Sequence, residues 1–295
     1  MTLPRAAATN RGMSLVRHVR QCNVFSAERF LPLLHDGVTL GLVRRNNAAT
    51  LRRFPDVFGV DDRSVTVRPG GGFERVSAAV DAVVERLVAD GIIPKWRNEF
   101  FAVAPRWGAA PHFRLDRGAV PFFGTRAYGV HLNGWRRDAG QLVLWIGRRA
   151  ANKMVAPNKL DNIVAGGISW EHGLEATLAK EAEEEAAIPR QLIARAVPVG
   201  AVSYRMETEL GVRNDVLFVY DLKAPPEFVP RNTDGELAEF MLMPADQVIA
   251  RVRAGDDFKF NVNLVLIDFA LRHGVVTPGE PDYLEIAAGL RRAHD

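Results

Sequence analysis

The chain has 295 residues, 47% of them hydrophobic, with 38 Lys and Arg against 35 Asp and Glu and a single cysteine, Cys22. That apolar content is enough for one large core or two ordinary ones, and no apolar run approaches the roughly 20 residues needed to cross a bilayer. One cysteine excludes an intramolecular disulfide framework and a cysteine-based zinc site, so a reducing, cytoplasmic setting is expected.

Charge divides the chain: residues 1–118 carry 18 basic and 11 acidic side chains, residues 119–295 carry 20 and 24. A basic half can steer phosphorylated ligands, although its arginines also fit a solvated surface. The first 24 residues hold no Asp or Glu, which suits an organellar transit peptide, but they lack the apolar core of a secretory signal. They read as a flexible or loosely docked N-terminal extension, with Met13 as an alternative start.

In chain order, Ser26–Leu34 reads as a short helix with Ser26 as N-cap and Phe30, Leu33 and Leu34 at helical spacing. Val38–Val43 reads as a strand, and Val57–Val67 as two extended segments turned at Asp61 and Asp62. Ser77–Asp90 predicts a helix, with Val80, Val83, Val84, Leu87 and Val88 as its apolar stripe and Gly91 as its stop. A domain boundary is expected near Gly118, after the stretch from Pro105 to Pro111. Beyond it, Ala127–Leu132 and Gln141–Ile146 read as strands joined by a polar turn. Arg148–Asn162 reads as a long, basic, irregular loop. A helix over Leu174–Ala187, strands at Gly200–Met206 and Asp215–Leu222, and helices at Ala245–Arg253 and Asn261–Arg272 complete an α/β pattern.

The chemistry concentrates on the run Lys180 to Ala186. At 100° per residue, with Glu181 at zero, Glu185 falls at about 40° and Glu184 at about 300°, whereas Glu183 points away near 200°. Three carboxylates on one arc repel one another. Either they form a solvated acidic face, or a hard cation such as Mg²⁺ compensates them. Gly166 and Gly167 lie one loop upstream, where bare backbone can approach a metal or a phosphate. Ahead of them, Arg148, Arg149, Lys153 and Lys159 suit a polyanion.

The segment GGISWEHGLEATLAKEAEEEAAI, from Gly166 to Ile188, resembles the Nudix box, GX5EX7REUXEEXGU with U aliphatic. Gly166, Glu181, Glu184, Glu185 and Ile188 match it. His172 stands in place of the first Glu, Lys180 in place of Arg and Ala187 in place of the last Gly. His172 and Lys180 are therefore expected to make a rewired structural contact between loop and helix, using Glu171 or Glu175. Ala187 is a mild change only if the helix ends without a residue at positive φ. KLDNIVAGGIS, YGVHLNGW, Trp96–Glu99, VSYRMETELGVRNDVLFVYDL and DGELAEFMLMP extend the resemblance over residues 25–275. They are similar to a Nudix subfamily related to the N-terminal part of fungal thiamine pyrophosphokinase and to plant plastid Nudix hydrolases.

The resemblance implies a Nudix α/β/α sandwich with a mixed sheet over residues 119–275. An α+β N-terminal domain at 25–118 would precede it, and a tail with a short helix at 276–295 would follow. It implies a metal-dependent hydrolase of thiamine diphosphate, or of damaged forms such as oxo- and oxythiamine diphosphate, yielding the monophosphate and phosphate, a metabolite-repair role. Glu181, Glu184 and Glu185 would hold Mg²⁺ or Mn²⁺ with the Gly166 carbonyl, and Glu184 or Glu236 would act as general base. Glu236 fits equally an exposed turn carboxylate. Arg148, Arg149 and Lys159 are candidate phosphate ligands; His131 and Asn133 are candidates to hydrogen-bond the organic group, and Trp96, with Arg97, Asn98 and Glu99, to line an interdomain pocket, although a local turn and a core position explain the histidine, the asparagine and the tryptophan as well. Alternatives are a Nudix hydrolase of nucleoside diphosphate derivatives such as ADP-ribose, and a catalytically silent binding module. No zinc, helix-turn-helix or RNP signature supports nucleic-acid binding, and a monomer or homodimer without membrane contact is expected.

Overall fold

The computed structural model describes residues 14–292. Residues 1–13 of the expected extension, Met13 included, and 293–295 of the tail lie outside the described residues. Residues 14–22 depart from the expected flexibility. They form a helix, α1 (Val16–Gln21), whose Leu15, Val16 and Val19, with Cys22, are buried in a core shared with the C-terminal helices. Two of its basic residues are engaged in this docking: Arg17 pairs with Asp256 and Arg20 with Glu285.

The helix expected at Ser26–Leu34 is instead a single 3-10 turn followed by strand β1 (Phe30–His35), paired antiparallel with β2 (Val38–Arg44). Pro32 explains the outcome, because proline inside a helix removes a donor and clashes with the preceding turn. The same apolar residues also serve period two, with Leu31 and Leu33 buried. After α2 (Arg45–Leu51), strands β3 (Phe58–Val60) and β4 (Val65–Val67) complete a four-stranded sheet in the order β2-β1-β4-β3. Helix α3 (Phe73–Ala89) buries the predicted valine and leucine stripe against it. A hairpin of β5 (Phe100–Val103) and β6 (Phe113–Asp116) follows, then α4 (Val120–Phe123).

The second sheet is built around the 13-residue β7 (Arg126–Asp138). β7 pairs antiparallel with β8 (Gln141–Arg149) only near their turn, from Trp135 to Asp138. The two strands then diverge. β9 (Leu160–Asn162) lies on β8, and β10 (Val164–Gly167) lies on β7 with Gly166 opposite Val130. The expected loop from Arg148 to Asn162 is thus strand at both ends, because Leu160 is buried and Asp161 anchors Arg149. Helices α5 (Leu174–Ala186) and α6 (Arg190–Ile193) precede β11 (Val197–Glu207) and β12 (Val212–Lys223), and β12 runs parallel to β7. β13 (Leu237–Pro244) closes the other edge on β8, giving the path β11-β12-β7-β8-β13.

This mixed sheet is covered on both faces. On one, Leu178, Ala182 and Ala186 of α5 pack on Val130, Leu132 and Tyr220. On the other, α7 (Ala245–Ala254), α8 (Phe260–Arg272), α9 (Tyr283–Gly289) and α1 pack on Ile146, Tyr204 and Val219. α8 buries ten consecutive residues from Asn261 to Ala270, and the enclosed Asp268 is balanced by Arg272 and Arg291. The result is an α/β/α sandwich preceded by an α+β domain. The two meet closely where α4 crosses the start of β12: a Cβ on Gly211 would overlap the Pro121 carbonyl oxygen.

α5 ends on Ala187 at φ 52°, in the left-handed region, with the Ala187 N–H returned to the Glu183 carbonyl and the Ile188 N–H to that of Ala182. The substitution of Ala for the box glycine is therefore not conformationally mild, since a Cβ is disfavoured there. Ala187→Gly should raise stability by about 1 kcal/mol, read as a higher urea midpoint at unchanged slope; a lower midpoint would contradict the strained cap.

Candidate active site

Strand β10 and helix α5 bring backbone and carboxylates together. A Cβ added to Gly166 would stand 2.5 Å from the Glu181 carboxyl carbon. Glycine is required here by proximity, since Glu181 packs flat on the β10 backbone. One turn further on, Glu185 is 4% exposed and its Oε2 accepts the Ala165 N–H at 2.8 Å. Burial pushes the Glu185 carboxyl well above its ordinary range, partly offset by that backbone donor, with Asp161, Glu181 and Glu236 adding repulsion. Glu181 is raised for the same first reason, against the pull of Lys180.

Glu184 stands apart. Its side chain is 47% exposed, and Lys180 Nζ donates to its Oε2 at 2.7 Å while lying 3.4 Å from Glu181 Oε1. The expected convergence of three carboxylates is therefore a half-buried Glu181 and a buried Glu185, plus an outer member drawn away by an i,i+4 ion pair. Nor does Lys180 link loop and helix with His172, whose Nδ1 lies 2.8 Å from Ser169 Oγ. A four-residue separation along α5 favours the Lys180–Glu184 contact, and His172 sits in its own turn.

Glu236, just before β13, reaches this group: its charge acts on both Glu181 and Glu185, and Lys153 Nζ holds its Oε1 at 2.6 Å. Beside it opens a cleft of about 520 Å³, lined from both halves of the chain and floored by Ala165, Gly166 and Gly167. Its wall contains seven Lys or Arg side chains against Glu99, Asp215 and Glu236, so an anionic guest is favoured. Tyr128, Phe101 and Phe260 supply aromatic surface.

Of the candidate ligand-binding residues, Arg149 and His131 line this cleft. Arg149 is also committed to Asp161, with its Nη1 donating at 2.7 Å. Burial, and then Lys259, push the His131 imidazole down to about 4, so it is neutral, with Nδ1 2.8 Å from Asn162 Oδ1. The other candidates are placed elsewhere. Arg148 pairs with Glu239 and Lys159 donates to the Asp256 carbonyl, both at the surface. Asn133 is buried in a network with Asp221 and Asn162. Trp96 packs edge-on to Phe100 in the N-terminal core, and its neighbours Lys95 and Arg97 face the cleft instead.

Sequence reasoning missed Arg117, Arg213 and Lys259. Arg213 sits two residues from Asp215 on β12 and pairs with it at 3.3 Å. Lys259 immediately precedes α8 and lies 3.7 Å from Asp161. Burial lowers the Lys259 ammonium, with Asp161 opposing. Burial alone would raise Asp161, but Lys259, His131 and Arg149 outweigh it and hold that carboxyl below its ordinary value. No local pattern distinguishes these cations from surface ones; only the long crossovers gather them.

The donor set fits a divalent cation. The Glu185 carboxylate takes one backbone donor, Glu181 lies against the glycine backbone, and an ammonium already lies on two of the three carboxylates, Glu181 and Glu184.

Residues 128–262 match the NUDIX domain family, and residues 14–127 match a domain of unknown function, DUF4743. Nudix hydrolase 20, chloroplastic, from Arabidopsis thaliana is 38% identical over 287 residues, covering 92% of this chain and 76% of the relative. Nudix hydrolase 24, chloroplastic, from the same plant is 39% identical over 274 residues, covering 89% and 73%. A crystal structure from Deinococcus radiodurans aligns at 21% identity with a TM-score of 0.45, covering 58% of this chain and 98% of that one. With similarity of this extent to the two plant proteins, the chain belongs to the Nudix hydrolase family. Nudix hydrolases generally use divalent metal ions.

Two outcomes follow from the Glu181–Gly166–Glu185 packing. Gly166→Ala should lower kcat by about two orders of magnitude with the fold retained by circular dichroism, because the new methyl must displace the Glu181 carboxylate; an unchanged kcat would separate that packing from turnover. Glu185 carries a raised folded pKa, so its contribution to stability is whole below the ordinary value of 4.5 and is lost as pH rises through the folded value. In chelator, Glu185→Gln should therefore melt above wild type at pH 8, with the gap closing toward pH 4.5. A gap that is constant with pH would mean the carboxyl is not perturbed.

Proposed function

We propose that the protein is a Mg²⁺- or Mn²⁺-dependent pyrophosphohydrolase that cleaves the diphosphate of thiamine diphosphate or of its oxo- and oxythiamine forms. The observation that carries the reaction class is the Glu181 carboxylate set against the Gly166 backbone, with the buried Glu185 one turn on, beside a cationic cleft that Gly166 also lines. The thiamine substrate rests on the subfamily resemblance, and the aromatic faces of Tyr128, Phe101 and Phe260 beside the cations are compatible with a heteroaromatic group carrying a diphosphate.

In this reading Glu181 and Glu185 hold the cation, with the Gly166 carbonyl adjacent. When bound, it polarises the phosphoryl oxygens and lowers the pKa of a coordinated water. Lys153, Arg149 and Lys259 neutralise the outer phosphate oxygens as charge shifts to the leaving phosphate. Glu236, or Glu184 once released from Lys180, accepts the proton of the attacking water. That water oxygen bonds to phosphorus as the bridging P–O bond breaks, and the products are the monophosphate and inorganic phosphate. His131, neutral at physiological pH, offers a hydrogen bond without adding charge.

The test is a substrate panel with Mg²⁺ present or chelated. Phosphate release from the thiamine diphosphates should exceed turnover of ADP-ribose, NADH and nucleoside triphosphates at least about ten-fold in kcat/KM, a difference of 1.4 kcal/mol, and should vanish in chelator. A reversed ranking would refute the thiamine substrate; silence across the whole panel would favour a binding module.

A further inference from the structure

The N-terminal domain carries a second constellation, which lines no part of the cleft. His35, at the end of β1, is buried, and its Nε2 lies 3.0 Å from the Pro69 carbonyl oxygen. A carbonyl only accepts, so Nε2 carries the hydrogen and the neutral ring presents a lone pair at Nδ1. That Nδ1 is 2.9 Å from His112 Nδ1 and 3.8 Å from Asp36 Oδ2. One ligand atom from each of His35, Asp36 and His112 lies within 4.8 Å of the other two, the only such trio of His, Cys, Asp or Glu among the described residues.

We propose that His35, His112 and Asp36 bind a divalent transition ion of the zinc class, clipping the β1–β2 turn to the β5–β6 hairpin. Three features point the same way. Two imidazole nitrogens and one carboxylate oxygen suit Zn²⁺ and its neighbours rather than Mg²⁺, and leave a fourth tetrahedral position for water. A ring whose far N–H is held by a backbone carbonyl is the usual arrangement behind a metal-bound histidine, because it fixes both tautomer and orientation. The third donor is positioned by the turn itself: Asp36 and Gly37 have φ of 50° and 75°, which folds the chain back and leaves the Asp36 carboxylate beside His35.

Bond lengths of about 2.0–2.1 Å to each donor place tetrahedral ligand atoms roughly 3.3 Å apart. The imidazole nitrogens need open only slightly, and Asp36, with its side chain 76% exposed, is free to rotate inward. In the metal-free protein the same two rings close as a hydrogen bond with His112 Nδ1–H donating. On binding an ion the His112 hydrogen moves by exchange with water from Nδ1 to Nε2, both rings stay neutral, and the Asp36 carboxylate offsets one of the ion's two charges.

The experiment uses the full chain, stripped with chelator, dialysed, and titrated with Co²⁺ in millimolar Mg²⁺ so that the Nudix carboxylates are engaged. Wild type should develop the visible ligand-field bands of tetrahedral Co²⁺, saturating at one equivalent and bleached by Zn²⁺. His112→Gln should abolish them. Asp36→Asn, on an exposed turn where folding is not at risk, should weaken Co²⁺ at least about ten-fold, and Glu185→Gln should keep the bands. Absence of tetrahedral bands in wild type, or identical titrations of wild type and Asp36→Asn, would overturn the site whatever the folding of His112→Gln.

Discussion

The approach of the Glu181 side chain to the bare backbone of Gly166 governs the active region. It is possible because β10 is pinned to β7 along one edge and α5 is pinned by Leu178, Ala182 and Ala186 on the sheet face. With helix and strand thus locked, Glu181 and Glu185 are pressed into a space where water is scarce. Ionised carboxylates are costly there unless a cation compensates them. The same desolvation raises both carboxyl groups above their ordinary range. Lys180 meets part of that demand from the same helix, which is why the outer Glu184 leans away from Glu181 and Glu185.

Around this centre the two halves of the chain divide the work. The Nudix half supplies the carboxylates and glycines. The wall facing them takes Lys95, Arg97 and Arg117 from the preceding domain, so the cleft is complete only with both present. The basic surplus of the first half is thereby partly explained as the lining of an anion-binding cleft rather than as dispersed surface charge. Gly211 under the Pro121 carbonyl shows how tightly the halves are fitted, and close-packed interfaces of this kind hold relative positions better than mobile linkers do.

Buried ion pairs repeat the same logic at a distance from the carboxylates. Asp161, Arg149, Lys259 and His131 form one enclosed group in which each charge is tolerable only because of its neighbours. Asp221 and Asp268 are enclosed in the same way by Arg272, His273 and Arg291. These groups add little net stability relative to an apolar core, but they determine which cations remain free to face a ligand. Arg149 is partly spent on Asp161, whereas Lys153 stands on Glu236 at the cleft itself.

Periodicity and spacing alone determined the α3 and α5 helices, the strand-rich second half and the placement of Glu181, Glu184 and Glu185 on one helical arc, because these depend on residues within a few turns of one another. Apolar spacing was ambiguous at Phe30–His35, where one set of residues satisfies both the helical and the alternating pattern, and Pro32 together with pairing to β2 selects the strand. Tertiary structure by itself decided that Asn133 and Trp96 belong to cores, and that Arg117, Arg213 and Lys259 share a wall with Gly166. Those residues come from segments far apart in the chain, and whether a charge ends in a cleft or in solvent depends on desolvation and long-range packing that no sequence window contains.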